Sequence, residues 1–108
     1  MPQVDLKYSD DLNFDAAKVL TDIEAMVRSH DAGAGECKAR AYPAPIFHRT
    51  HLTVEISILP KAHRDTAFMD ALSTDLEKTI KAHLNQACFF ALMISFSPET
   101  HIAGHFEP

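Results

Sequence analysis

His51-Leu52-Thr53-Val54-Glu55-Ile56-Ser57-Ile58-Leu59 alternates apolar and polar residues without a break. Leu52, Val54, Ile56 and Ile58 fall on one side and Thr53, Glu55 and Ser57 on the other. That is the period-two pattern of a strand with one buried face. Pro60 closes it. Downstream the period changes. From Asp65 to about Gln86, the residues Met69, Leu72, Leu76, Ile80 and Leu84 form a helical stripe. Alternation returns from Ala91 to Ser97, with Leu92, Ile94 and Phe96 together and Pro98 as the stop. The segment from His51 to Ser97 therefore reads strand, helix, strand.

The upstream half has the same order. Gln3 to Tyr8 alternates, with Val4, Leu6 and Tyr8 on one side and Gln3, Asp5 and Lys7 on the other. Ser9-Asp10-Asp11 is polar and suits a helix start. From Asp15 to about His30, Ala16, Val19, Leu20, Ile23 and Val27 recur at helical spacing. Ala32-Gly33-Ala34-Gly35 ends that helix. A strand follows over Cys37 to Tyr42, with Cys37, Ala39 and Ala41 alternating against Lys38, Arg40 and Tyr42, and Pro43-Ala44-Pro45 breaks it. The halves Pro2 to Tyr42 and His51 to Ser97 share a pattern but little sequence, which makes them a structural pseudo-repeat.

The fold class that follows is α+β. Two β-α-β units, each with parallel strands joined by a right-handed crossover, form a four-stranded sheet with both helices on one face. At 108 residues this is one domain spanning 1–108. The second face has no cover within the chain. It is expected to carry the smaller side chains, such as Cys37, Ala39 and Ala41, and to be covered by other subunits.

Composition narrows the partners. The net charge is −5, and no two Lys or Arg residues are adjacent, which argues against nucleic acid. No apolar run approaches membrane-spanning length. Gln3-Val4-Asp5-Leu6-Lys7 is no signal-peptide core. Cys37 and Cys88 are far apart in sequence and lack metal-ligand spacing, so two reduced thiols in a cytoplasmic protein are expected.

Pro2 stands directly behind Met1. A small second residue favours methionine removal, which would expose a secondary amine. An α-amino group titrates near about 7.7–8.0, and burial or nearby cations lower that value. Such a group is suited to moving protons near neutrality. If Met1 is retained, the Pro2 nitrogen is an amide and cannot be a base. Met-Pro alone carries no more than this, since many chains begin so without catalytic purpose.

The order of short motifs adds to it. Pro2, Tyr8-Ser9-Asp10, Lys38-Ala39-Arg40, His51-Leu52-Thr53-Val54-Glu55-Ile56 and the turn Lys61 to Asp65 together resemble the tautomerase superfamily. The nearest resemblance is to the 5-carboxymethyl-2-hydroxymuconate isomerase family, and it covers nearly the whole chain. It implies a cofactor-free keto-enol tautomerase, an isomerase of small unsaturated carboxylates in aromatic compound catabolism. It further implies a homotrimer with Pro2 as the catalytic base.

The basic residues fit that chemistry. Isomerising a 2-hydroxy-diene acid takes a proton from one atom and returns it at another, while charge builds on a dienolate oxygen. Lys38 and Arg40 share one face of a strand that can lie beside the first. There they would lower the amine's pKa, bind a small dicarboxylate and stabilise the dienolate. The plain alternative is a solvated edge-strand face. Arg64 could reach a second carboxylate, or be a surface charge beside Asp65. Tyr42, on the face of Lys38 and Arg40, could shape the pocket, act as a proton donor or be an ordinary interface tyrosine. The seven histidines show no zinc spacing; His48 with His51, and His101 with His105, read as surface and packing residues. Two alternatives stay open. One is the same fold running hydration, dehalogenation or decarboxylation. The other is a non-catalytic ferredoxin-like ligand-binding or oligomerisation module.

Overall fold

A computed structural model describes residues Met1–Pro108. The elements are β1 (Gln3–Ser9), α1 (Ala16–His30), a 3-10 turn (Ala32–Ala34), β2 (Lys38–Ala44), β3 (His51–Ile58), α2 (Thr66–Lys81) and β4 (Phe89–Phe96). Each helix starts on an aspartate. Asp15 accepts from the Lys18 amide and Asp65 from the Phe68 amide, satisfying donors that the first turn leaves open. Beyond α1, Gly35 takes φ 76°, a backbone conformation that glycine adopts without steric cost.

The sheet order is β2-β1-β3-β4. β1 pairs with β2 in parallel, β3 with β4 in parallel, and β1 with β3 antiparallel. The two β-α-β units therefore meet through their first strands. Both helices pack on one face, and the extents of 39 × 38 × 22 Å leave depth for two layers only. Val4, Leu6, Leu52, Val54, Ile56 and Ile58 are buried against Val19, Ile23, Val27, Leu72, Leu76 and Ile80. The aliphatic residues of each periodic run meet in one core, the main favourable term in folding.

The expectation for the open face needs correcting. In register, Val4 pairs with Ala39 and Leu6 with Ala41, so both alanines lie on the helix-covered side; Ala41 and Cys37 pack against the core. The small residues of β2 leave room for α1. The open face instead carries the larger alternates. Asp5 and Lys7 lie beside Arg40 and Tyr42, and Phe89 and Met93 follow on β4 opposite His51 and Glu55. Tyr42, Phe89 and Met93 are exposed there, between the ion pairs Lys7–Glu55 (3.4 Å) and Arg40–Asp5 (2.7 Å).

Boundaries differ in two places. β2 continues through Pro43 to Ala44, pairing with Tyr8 and Ser9. It is an edge strand, where the missing proline N–H costs no ladder bond. Conversely, α2 stops at Lys81 rather than near Gln86. His83 is held by Asp22 of α1 at 2.8 Å, and Gln86 bonds Asp11 and Asn13 of the β1–α1 loop. These tertiary bonds draw the chain off the helical path and let β4 begin at Phe89.

Candidate active site

The topology gathers one end of the sheet. β2 runs parallel to β1, so its first residue starts beside Pro2: the Lys38 amide donates to the Pro2 carbonyl at 2.9 Å. β3 runs the other way, so it ends there, with Ser57 opposite Gln3. β4 follows β3, and the Ser97 amide donates to the Ile58 carbonyl at 2.7 Å. The chain after β4 then crosses the same edge. The result is a cavity of ≈490 Å³ lined by Met1, Gln3, Lys38, Leu59, Ser97, His101, Ala103, Gly104 and His105. Met1 and Gln3 line the cavity on either side of Pro2 in the chain; Pro2 itself is buried and is not a lining residue, while Met1 is 58% exposed.

No aspartate or glutamate lines this cavity, although acidic residues outnumber basic ones, fifteen to ten, in the whole chain. Lys38 is exposed and makes no ion pair. An anion entering the cavity would meet an uncompensated cation and no fixed negative charge. The shallower groove between α2 and β4, ≈260 Å³, offers Ser73, Thr74, Glu77, Phe90 and Leu92; it has a carboxylate and no cation.

The other basic candidates lie elsewhere. Arg40 is two residues further along β2 on the open face. Its Nε is 2.7 Å from Asp5 Oδ1 without an aligned hydrogen bond, and its Nη2 reaches Gln3 Oε1 only at 3.5 Å. Tyr42 is one more strand repeat from the cavity, 46% exposed on the open face. Arg64 is neither a surface charge nor a cavity residue. It is 6% exposed, donating from Nε and Nη2 to Asp31 Oδ2 at 3.0 and 2.8 Å and from Nη1 to the Leu59 carbonyl at 2.7 Å. His63 meets the same Asp31 oxygen at 2.8 Å. The His63 hydrogen bond first, and Arg64 second, hold the Asp31 carboxyl down at about 2. Arg64 thus ties the end of α1 to the β3–α2 turn.

Cys37 precedes Lys38 but is a poor nucleophile. Burial pushes its thiol up to about 11, and the Glu24 carboxylate adds to that; a thiol so placed stays protonated. Both cysteines are free. Among the wall residues that sequence reasoning did not assign to the site are His101 and His105 of the tail. The only signal for them is a twelve-residue stretch beyond Phe96, and periodicity cannot say where such a stretch returns.

No protein-family profile matches the sequence, and no curated protein matches it. Solved structures do. A 5-carboxymethyl-2-hydroxymuconate delta-isomerase superposes with a TM-score of 0.73 at 17% identity, over 98% of this chain and 89% of that one. A 5-carboxymethyl-2-hydroxymuconate isomerase from Deinococcus radiodurans R1 gives 0.72 at 18% identity, over 99% and 88%. A fused 4-OT symmetric trimer gives 0.60 at 13% identity, over 92% and 91%. The four-stranded mixed sheet with two helices on one face is the fold these structures share with the chain, and the resemblance read from the sequence holds at the level of the fold.

Proposed function

We propose that the chain is a cofactor-independent isomerase or tautomerase of small unsaturated, 2-hydroxymuconate-like carboxylates, with the Pro2 amine as general base once Met1 is removed. The observation that carries this reading is the carboxylate-free cavity lined by Lys38 and by both chain neighbours of Pro2, Met1 and Gln3. The fold shared with two 5-carboxymethyl-2-hydroxymuconate isomerases supports it.

The steps follow from the residues. With Met1 in place the Pro2 nitrogen is an amide and has no basic lone pair. After cleavage it is a secondary amine, out of water and near the Lys38 cation, and both conditions disfavour its protonated form. The free amine takes the proton from the 2-hydroxyl or the adjacent carbon. Lys38 holds a substrate carboxylate and stabilises the charge that develops on the dienolate oxygen. The protonated amine then returns the proton further along the conjugated chain, so one group serves as base and acid in turn.

The test compares processed protein with a variant in which Met1 removal is blocked, each verified by intact mass. The substrates are 2-hydroxymuconate and the enol of hydroxyphenylpyruvate. The processed protein should turn them over with a rate that rises with pH as the amine loses its proton. The blocked protein and Pro2→Ala should lose at least about a hundredfold. Equal rates in the blocked and processed proteins would sink the mechanism.

The same reading extends to assembly. Tyr42, Phe89 and Met93 on the open face, and the trimer among the structures sharing the fold, support a homotrimer whose sheets face a common axis. Light scattering should give three times the monomer mass at micromolar concentration, and a stable monomer would refute it.

A further inference from the structure

The wall formed by the last segment of the chain contains two histidines, and they are not equivalent. His101 Nδ1 lies 2.7 Å from the Pro98 carbonyl oxygen. A carbonyl only accepts, so Nδ1 carries a hydrogen and donates it. The nitrogen left free for a ligand is then Nε2. His105 is placed differently: its Nδ1 is 3.7 Å from Glu107 Oε1, with both side chains more than four-fifths exposed, so its nearest charged neighbour is a carboxylate. His101 has no acidic partner. The other charged groups around it are Lys38 from β2, the N-terminal amine, at Met1 or at Pro2 once Met1 is removed, and the His105–Glu107 pair on its own segment.

We infer that His101, in its protonated form, binds the second carboxylate of a conjugated dicarboxylate whose first carboxylate is held by Lys38. This makes His101 the residue that selects dicarboxylates over monocarboxylates. The inference rests on reading the cavity as the substrate site. Protonation adds an N–H at Nε2 while Nδ1–H stays on Pro98, so a ring already oriented by the backbone gains one charged donor.

The test uses two dienes of the same length, trans,trans-muconate and sorbate, which differ by one carboxylate. Neither carries a 2-hydroxyl, so titration calorimetry on the full chain reads binding without proton transfer. At about pH 5.5 the protein should bind muconate about fivefold more tightly than sorbate, a modest ratio because His101 is exposed to solvent. His101→Gln should bring the ratio down to about twofold, the statistical factor for two equivalent carboxylates, and leave sorbate binding unchanged. His105→Gln should keep the fivefold ratio. A His101→Gln ratio that stays near fivefold, a fall to twofold in His105→Gln, or no binding of either diene at millimolar concentration would overturn the assignment. Failure of Pro2 as base would appear in turnover and leave this binding difference intact.

Discussion

Lys38 and Arg64 are both cations at the end of a loop, one entering β2 and one entering α2, yet the fold treats them oppositely. Arg64 meets Asp31 through two nitrogens and the Leu59 carbonyl through a third, with its side chain 3% exposed. Lys38 meets no carboxylate and borders the largest cavity. The difference is not in the cations. It lies in whether the fold brings an acid within reach. Once a carboxylate is there, burial turns the pair into a structural clamp, because neither charge can be left alone in the interior. Where none is present, the charge remains available to something from outside.

The largest effect separating the two regions should come from breaking the clamp. Arg64→Ala leaves the half-buried Asp31 with only His63 beside it and the Leu59 carbonyl without its donor. Urea unfolding at equal protomer concentration should show a loss of about 3 kcal/mol. A change within about 0.5 kcal/mol, the usual range for an ordinary surface position, would remove the contrast. The clamp also has a pH signature. Asp31 is depressed from an ordinary 3.8 to about 2, by His63 first and Arg64 second. A depressed carboxyl contributes stability that is fully present above its unfolded value and lost as pH falls through its folded value. Stability should therefore decline from about pH 4 to about pH 2. Asp11 and Asp22, also lowered by their hydrogen bonds to Thr50 and His83, contribute to the same decline. His63→Ala isolates the Asp31 share by making the decline shallower, and an unchanged slope would show that His63 has no part in it.

A smaller effect is expected at the cavity, on function rather than stability. Lys38→Ala should raise KM for a carboxylate substrate about tenfold, the size of one charged hydrogen bond at its lower end, and move the urea midpoint little. Arg40→Ala should do less. Its charge is already engaged by Asp5 and it does not line the cavity, so about twofold is expected. Steady-state kinetics on both variants decide the order. A larger loss from Arg40 than from Lys38 would reverse it, and would mean that Arg40 serves a site completed by another subunit.

These contrasts mark how far the sequence could be read. Strand and helix order, the crossover pairing and the helix-covered face were all legible, because each depends on periodicity within about twenty residues. The aliphatic members of β1 and β3 are the ones that are buried. Reading β2 by size rather than by register misassigned Ala39 and Ala41, since only the pairing with Val4 and Leu6 says which way they point. The placement of Lys38 beside Pro2 was legible for the opposite reason. A parallel β-α-β unit must bring the starts of its two strands together.

By itself, then, the sequence determined the elements, their order, the two-layer fold and the pairing of the N-terminus with the start of β2, because local patterning and chain connectivity fix these. Only the tertiary structure decided which charges are spent and which are free. Asp31 and Arg64 are thirty-three residues apart, and His101 reaches the cavity from beyond the last strand. Electrostatic partnership depends on distance through space, and no spacing along the chain encodes a contact that the packing of two helices and the return of a tail bring about.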